Sequence, residues 1–160
     1  MTAPRVLVLG VGNVLRADDG VGPRVVDALA GAIARGTVGV PPGTVLCDGG
    51  ARGIGLLPEV AGADRVVIVD AVAPGAGPGT VTVVPATEPG DPGLRGSEAV
   101  ADLVATAALV TGRPIDLTLV GIEAACLDVG EDLSPAVAAA VPRAAKAVLA
   151  VVGGWGGVAR

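Results

Sequence analysis

The 160-residue chain has no histidine. Without an imidazole of its own it has no Ser-His-Asp or Cys-His catalysis and no histidine-ligated zinc, so acid–base or metal chemistry falls to its carboxylates. Phenylalanine and tyrosine are also missing and tryptophan occurs once. That removes the aromatic platforms on which single-stranded nucleic acids stack, and leaves Val, Leu, Ile and Ala to fill the interior. Basic side chains are sparse, eleven Lys and Arg scattered among sixteen Asp and Glu, for a formal charge of −5. No basic patch is available to neutralise phosphates, so no nucleic-acid partner is expected.

Cysteine is scarce as well. Cys47 and Cys126 stand without a CxxC spacing or neighbouring ligand residues, and read as two buried, reduced thiols. The start of the chain lacks a basic-then-apolar leader, and no apolar run is read as reaching the roughly 18 residues that span a bilayer. A soluble, cytoplasmic monomer with no membrane partner is the expectation.

What is present is a large aliphatic core: 51% of residues are hydrophobic. The length suits one domain, residues 1–160. Arg5 to Gly10 is a Val/Leu run of the kind that forms a strand buried on both faces. A helix follows from Gly22, with Val25, Leu29 and Ile33 on one face, up to Gly36. Thr44 to Asp48 reads as a second strand, Ile54 to Val60 as a short helix interrupted near Pro58, and Arg65 to Asp70 as a third strand.

The Pro- and Gly-rich linker 73–79 is too short for a crossover helix, so strand Thr80 to Pro85 should run antiparallel at an edge. A polar loop from Ala86 to Gly96 leads to a helix with Ser97 as N-cap and Gly112 as its stop. Leu117 to Ile122 is the last strand. Ser134-Pro135 opens a terminal helical segment that Pro142 should divide. The sum is a three-layer α/β/α sandwich with a five-stranded, mostly parallel sheet and one antiparallel edge strand.

Right-handed crossovers place the second and third strands on opposite sides of the first, which puts the topological switch between strands one and three. Asp19 follows the first strand and Asp70 ends the third. Two carboxylates far apart in sequence should therefore meet at the carboxyl end of the sheet, beside glycines Gly10, Gly12 and Gly20 that would let a partner approach the backbone. Such a pair suits a divalent cation or a shared proton, while Asp18 reads as the cap of the first helix. A dinucleotide site, with Asp48 on a ribose, fails on spacing: Leu15 stands where GxGxxG needs its last glycine, and two acids occupy the loop that would face a pyrophosphate. No organic cofactor is expected.

These residues resemble a known family, the proteases that mature [NiFe] hydrogenases. The resemblance rests on Val6 to Gly12 with Asn13, Leu15, Asp18-Asp19-Gly20 and Gly22; on Asp48-Gly49-Gly50; on Val67 to Ala71 with Pro78-Gly79-Thr80; and on Leu119 to Glu123 with Leu133-Ser134-Pro135. It implies an endopeptidase that removes the C-terminal extension of a nickel-loaded large-subunit precursor, the precursor being the partner and the supplier of the nickel. It also implies that Asp19 and Asp70 recognise that nickel and carry the catalysis. The family's third metal-binding residue is a histidine that would fall at or next to Gly96. In its absence Glu98 is the candidate replacement, and the missing imidazole supports an alternative, a non-catalytic precursor-binding protein of the same fold.

Overall fold

The computed structural model describes residues 3–86 and 96–156. Five strands, β1 (Val6–Val11), β2 (Thr44–Gly50), β3 (Arg65–Val72), β4 (Val81–Ala86) and β5 (Asp116–Glu123), form one sheet in the order β2-β1-β3-β5-β4. β1 pairs in parallel with β2 and β3, and β3 with β5. Only β4 runs antiparallel, on the outer side of β5. The helices are α1 (Val21–Ala34), α2 (Leu57–Ala61), α3 (Glu98–Thr111) and α4 (Pro135–Gly156).

Strand periodicity divides the core in two. Val6 and Val8 of β1, with Val67, Val69, Val120 and Ile122, pack under α1 and α4. Their alternate neighbours Leu7 and Leu9, with Val66, Ile68, Leu117 and Leu119, pack under α2 and α3. Successive side chains of a strand point to opposite faces, so a strand covered on both sides must be apolar throughout, as β1 is. Each such side chain taken out of water contributes about 1.5–3 kcal/mol.

Several expectations are corrected. Pro58 does not interrupt a helix; a 3-10 turn (Gly53–Leu56) precedes it and it sits in the first turn of α2, where its missing N–H costs nothing. Pro142 does not divide the last helix, since α4 runs unbroken through it. Pro142 is on the exposed side, while Val137, Ala140, Ala144, Val148 and Val152 are all buried against the sheet and α1; that packing outweighs a loss of about 3 kcal/mol at the proline. The same helix, Pro135–Trp155, is long and apolar enough to cross a membrane by composition, contrary to the reading of the sequence, and here its buried face covers the sheet. Cys47 and Cys126 are both free but half-exposed rather than buried, because β2 is an edge strand and Cys126 lies beyond β5 in a loop. Most of the predicted polar loop, residues 87–95, lies outside the described residues.

Candidate active site

At the carboxyl end of β1 the chain must turn back within a few residues to start α1, and glycines make the turn possible. Gly12 has φ +130, and a Cβ there would lie 1.7 Å from the Asp19 carbonyl oxygen. Gly22 would meet the carbonyls of Val69 and Val11 at 2.3 and 2.4 Å. Gly10 is equally closed off by Gly22, and Gly20 by Val14. These glycines therefore admit the chain's own backbone rather than a partner's, which corrects their predicted role. Ala17 adopts a left-handed conformation, φ 47, in a 3-10 turn spanning Ala17–Gly20. That turn gives Asp18 and Asp19 different partners.

Asp18 points inward and is fully buried. Its Oδ1 accepts the Ser134 N–H at 2.7 Å, and its Oδ2 accepts the Ser134 hydroxyl at 2.8 Å and the N–H groups of Ala125 and Cys126 at 2.8 and 2.9 Å. Burial alone would raise its pKa, but the donors from Ser134, Cys126 and Ala125 outweigh it and hold the carboxyl below its ordinary value. Asp18 is thus not the cap of α1, whose N-cap position is Gly20; it ties the loop after β1 to the segment that leads into α4. Backbone bonds reinforce the tie: Ala17 N–H to Gly130, Asp18 N–H to Cys126 and Gly130 N–H to Leu15.

Asp19 is half-buried and turns toward the sheet end, its Oδ2 accepting the Asn13 N–H at 2.8 Å. Asp70, 7% exposed, rises from β3. Its Oδ2 accepts the Ser97 hydroxyl at 2.7 Å. Burial pushes its pKa from 3.8 up to about 7; the Ser97 hydrogen bond opposes the rise and the nearby Asp19 charge adds to it. Ser97 does precede α3, as predicted, but its hydroxyl is spent on Asp70 and not on capping.

Asp19 and Asp70 line one cleft of about 450 Å³, with Gly12, Asn13, Gly50 and Ser97 among its walls. The two predicted carboxylates are therefore brought together at the switch between β1 and β3. Glu98 is placed differently: it is exposed, its Oε2 accepts the Gly96 N–H at 2.9 Å, and it is absent from the cleft wall. Among the described residues no three acidic or sulfur side chains gather in a way that could hold a metal. Two residues, a donor and an acceptor, escaped sequence reasoning. Ser134 was legible only as the start of a helix. Glu123, buried at the end of β5, takes the N–H groups of Gly75, Ala76 and Gly77, and only its place opposite the glycine-rich linker could have signalled this.

The fold and site define a class: an α/β/α protein that presents a paired-carboxylate cleft, without imidazole, at the switch point of its sheet. The hydrogenase maturation protease pattern matches residues 23–151. The hydrogenase expression/formation protein HupD of Rhodobacter capsulatus is 36% identical over 158 residues, covering 95% of this chain and 73% of that protein. The hydrogenase 2 maturation protease of Escherichia coli K12 is 35% identical over 153 residues, 92% of this chain and 90% of the relative. The solved structure of the hydrogenase maturating endopeptidase HybD from E. coli superposes with a TM-score of 0.78 at 31% identity, covering 95% and 94% of the two chains. The chain belongs to the hydrogenase maturation protease family, and it is a peptidase of that type.

Proposed function

We propose that this protein removes the C-terminal extension of a [NiFe] hydrogenase large-subunit precursor, and that Asp19 and Asp70 recognise the nickel which the precursor carries. The observation that carries this reading is the shared cleft: a half-buried carboxylate from the turn after β1 and a buried one from β3 line one space, and burial raises the Asp70 pKa to about 7. A cation entering the cleft replaces the proton held at Asp70, and its charge relieves the repulsion between the two acids. The pair therefore favours a substrate that brings a positive centre over one that does not. Carboxylate oxygens alone make a modest nickel site, which suits an ion that stays with the substrate.

For hydrolysis, a water adds to the scissile carbonyl carbon and the C–N bond then breaks. A carboxylate oxygen of the pair that the nickel does not engage can take the proton from that water and return it to the departing amine. Ser97 holds the Oδ2 of Asp70 in place at the cleft wall. We place the reaction in the cytoplasm, carried out by a monomer.

The deciding experiment is incubation of purified protein with nickel-loaded and nickel-free precursor, read by intact mass. Loss of the extension from the loaded form alone is expected. Equal cutting of both forms removes nickel recognition from the reading. Stable complex formation without any cut would favour the non-catalytic binding protein.

A further inference from the structure

Asn13 follows Gly12 in the loop after β1 and lines the cleft together with Asp19 and Asp70. Its hydrogen bonds fix it before any substrate arrives. The Asn13 N–H donates to Asp19 Oδ2 at 2.8 Å, its carbonyl accepts the Arg16 N–H at 3.0 Å, and its side-chain Oδ1 accepts the Leu15 N–H at 2.9 Å. One residue earlier, the Gly12 N–H donates to the Gly50 carbonyl at 2.9 Å and ties the loop to the end of β2. A backbone N–H can only donate, so the end of the Asn13 amide that meets Leu15 is the oxygen and the other end is the Nδ2 group. Among the described residues that Nδ2 group has no acceptor.

The cleft has a chemical need for such a group. When water adds to a peptide carbonyl its oxygen becomes an anion, and the described wall of this cleft carries Asp19, Asp70 and Asp102 but no Lys or Arg. The other uncharged side-chain donors there are committed. Ser97 gives its hydroxyl hydrogen bond to Asp70 at 2.7 Å, and Thr106 gives its own to the Asp102 carbonyl at 2.8 Å. Of the described side chains on that wall, the Asn13 amide is the donor left over.

We infer that Asn13 is a further catalytic residue, its Nδ2 group donating a hydrogen bond to the oxygen of the scissile carbonyl as that oxygen turns into an anion. The inference rests on the reading that the cut takes place at Asp19 and Asp70. As water adds, the carbonyl π pair moves onto oxygen and the water proton passes to a carboxylate oxygen. Asn13 holds the oxyanion and transfers no proton. When the pair returns, the C–N bond breaks and the amine departs with the proton. Because Oδ1 is pinned to Leu15, the donor is aligned in advance, which is the condition under which such a hydrogen bond acts strongly on a rate.

Two substitutions separate this role from that of a turn residue. Asn13→Ser keeps an oxygen that can accept the Leu15 N–H but is too short to replace the amide donor, whereas Asn13→Ala loses both. Single-turnover cutting of nickel-loaded precursor, read by intact mass over a range of enzyme concentrations, gives the maximal rate and the half-saturating concentration separately. Thermal melting checks the fold. Both variants should lower the maximal rate by about a hundredfold or more, with half-saturation within about threefold of wild type. An Asn13→Ser protein that cuts at the wild-type rate, or losses that lie in half-saturation or melting temperature alone, would assign Asn13 to the turn and overturn the inference. The nickel reading fails by a different observation: wild type then cuts nickel-free precursor as fast as loaded, and the ratio of wild type to Asn13→Ser is measured on both forms.

Discussion

Asp18 and Asp70 are both buried at the same end of the sheet, and they have opposite characters. Asp18 receives four hydrogen bonds and stays an anion below its ordinary pKa; Asp70 receives one from a side chain, Ser97, and is pushed up to about 7. Burial raises both; the donors on Asp18 outweigh it, whereas Asp70 has fewer donors and the Asp19 charge adds to its rise. A carboxylate whose lone pairs are filled holds structure, and one left short of donors in a cleft is available for a cation or a proton. Two adjacent residues, Asp18 and Asp19, thus fall on different sides of this divide because the turn between them sends one side chain inward and the other to the cleft.

The largest expected effect breaks the available side of the pair. Asp70→Asn and Asp19→Asn should each lower processing of nickel-loaded precursor by at least about a hundredfold, on the scale of removing a group that acts directly on the reacting centre. Wild-type rates in either would remove both residues from the chemistry. Asp70→Asn should also raise the melting temperature above pH 7. The folded state binds this proton more tightly than the unfolded chain, so stability from Asp70 is full below about pH 4 and is lost as pH climbs through about 7.

On the filled side, Asp18→Ala should cost about 3 kcal/mol by stranding several buried donors, measurable by urea unfolding. The pH dependence reverses here: a lowered folded pKa gives stability that is present above the ordinary aspartate range and disappears as pH falls through the folded value. Asp18→Ala should therefore flatten the acid limb of the stability curve, whereas Asp70→Asn flattens its neutral limb. If both variants altered the same limb, the contrast between the two carboxylates would be wrong.

A smaller change is expected from Ser97→Ala, which takes away the side-chain donor of Asp70. Its pKa should rise further, so processing at pH 7 falls several-fold and recovers at higher pH, and Ser97→Thr restores the wild-type profile. A rate loss that is the same at every pH would assign Ser97 to folding alone. Glu98→Gln should have the least effect, since that carboxylate rests on the Gly96 N–H at the surface. A loss as deep as that of Asp70→Asn would mean that Glu98 leaves Gly96 and joins the cleft when substrate binds.

Much of this was legible in the chain. Unbroken apolar runs define β1 and β3, a breaker-rich linker too short for a helix gives the antiparallel β4, and the handedness of crossovers then fixes the switch that joins Asp19 to Asp70. Local rules misled where distant packing outweighed them. Pro142 is carried through α4 by a face buried along its whole length, and the glycines of the first loop are closed by Val11, Val69 and Asp19 backbone and not left open to a ligand.

The sequence by itself determined the layers, the placing of β2 and β3 on either side of β1 and the absence of imidazole chemistry, because hydrophobic period, crossover hand and residue type are read along the chain; the insertion of β5 between β3 and β4 was not so determined. Only the tertiary structure decided which acid is structural and which is reactive. Asp18 is silenced by amides of residues more than a hundred positions away, and Asp70 is tuned by Ser97 across the cleft. The acidity of a carboxylate depends on donors and solvent in three dimensions, and no pattern along the chain encodes how many will converge on a given oxygen.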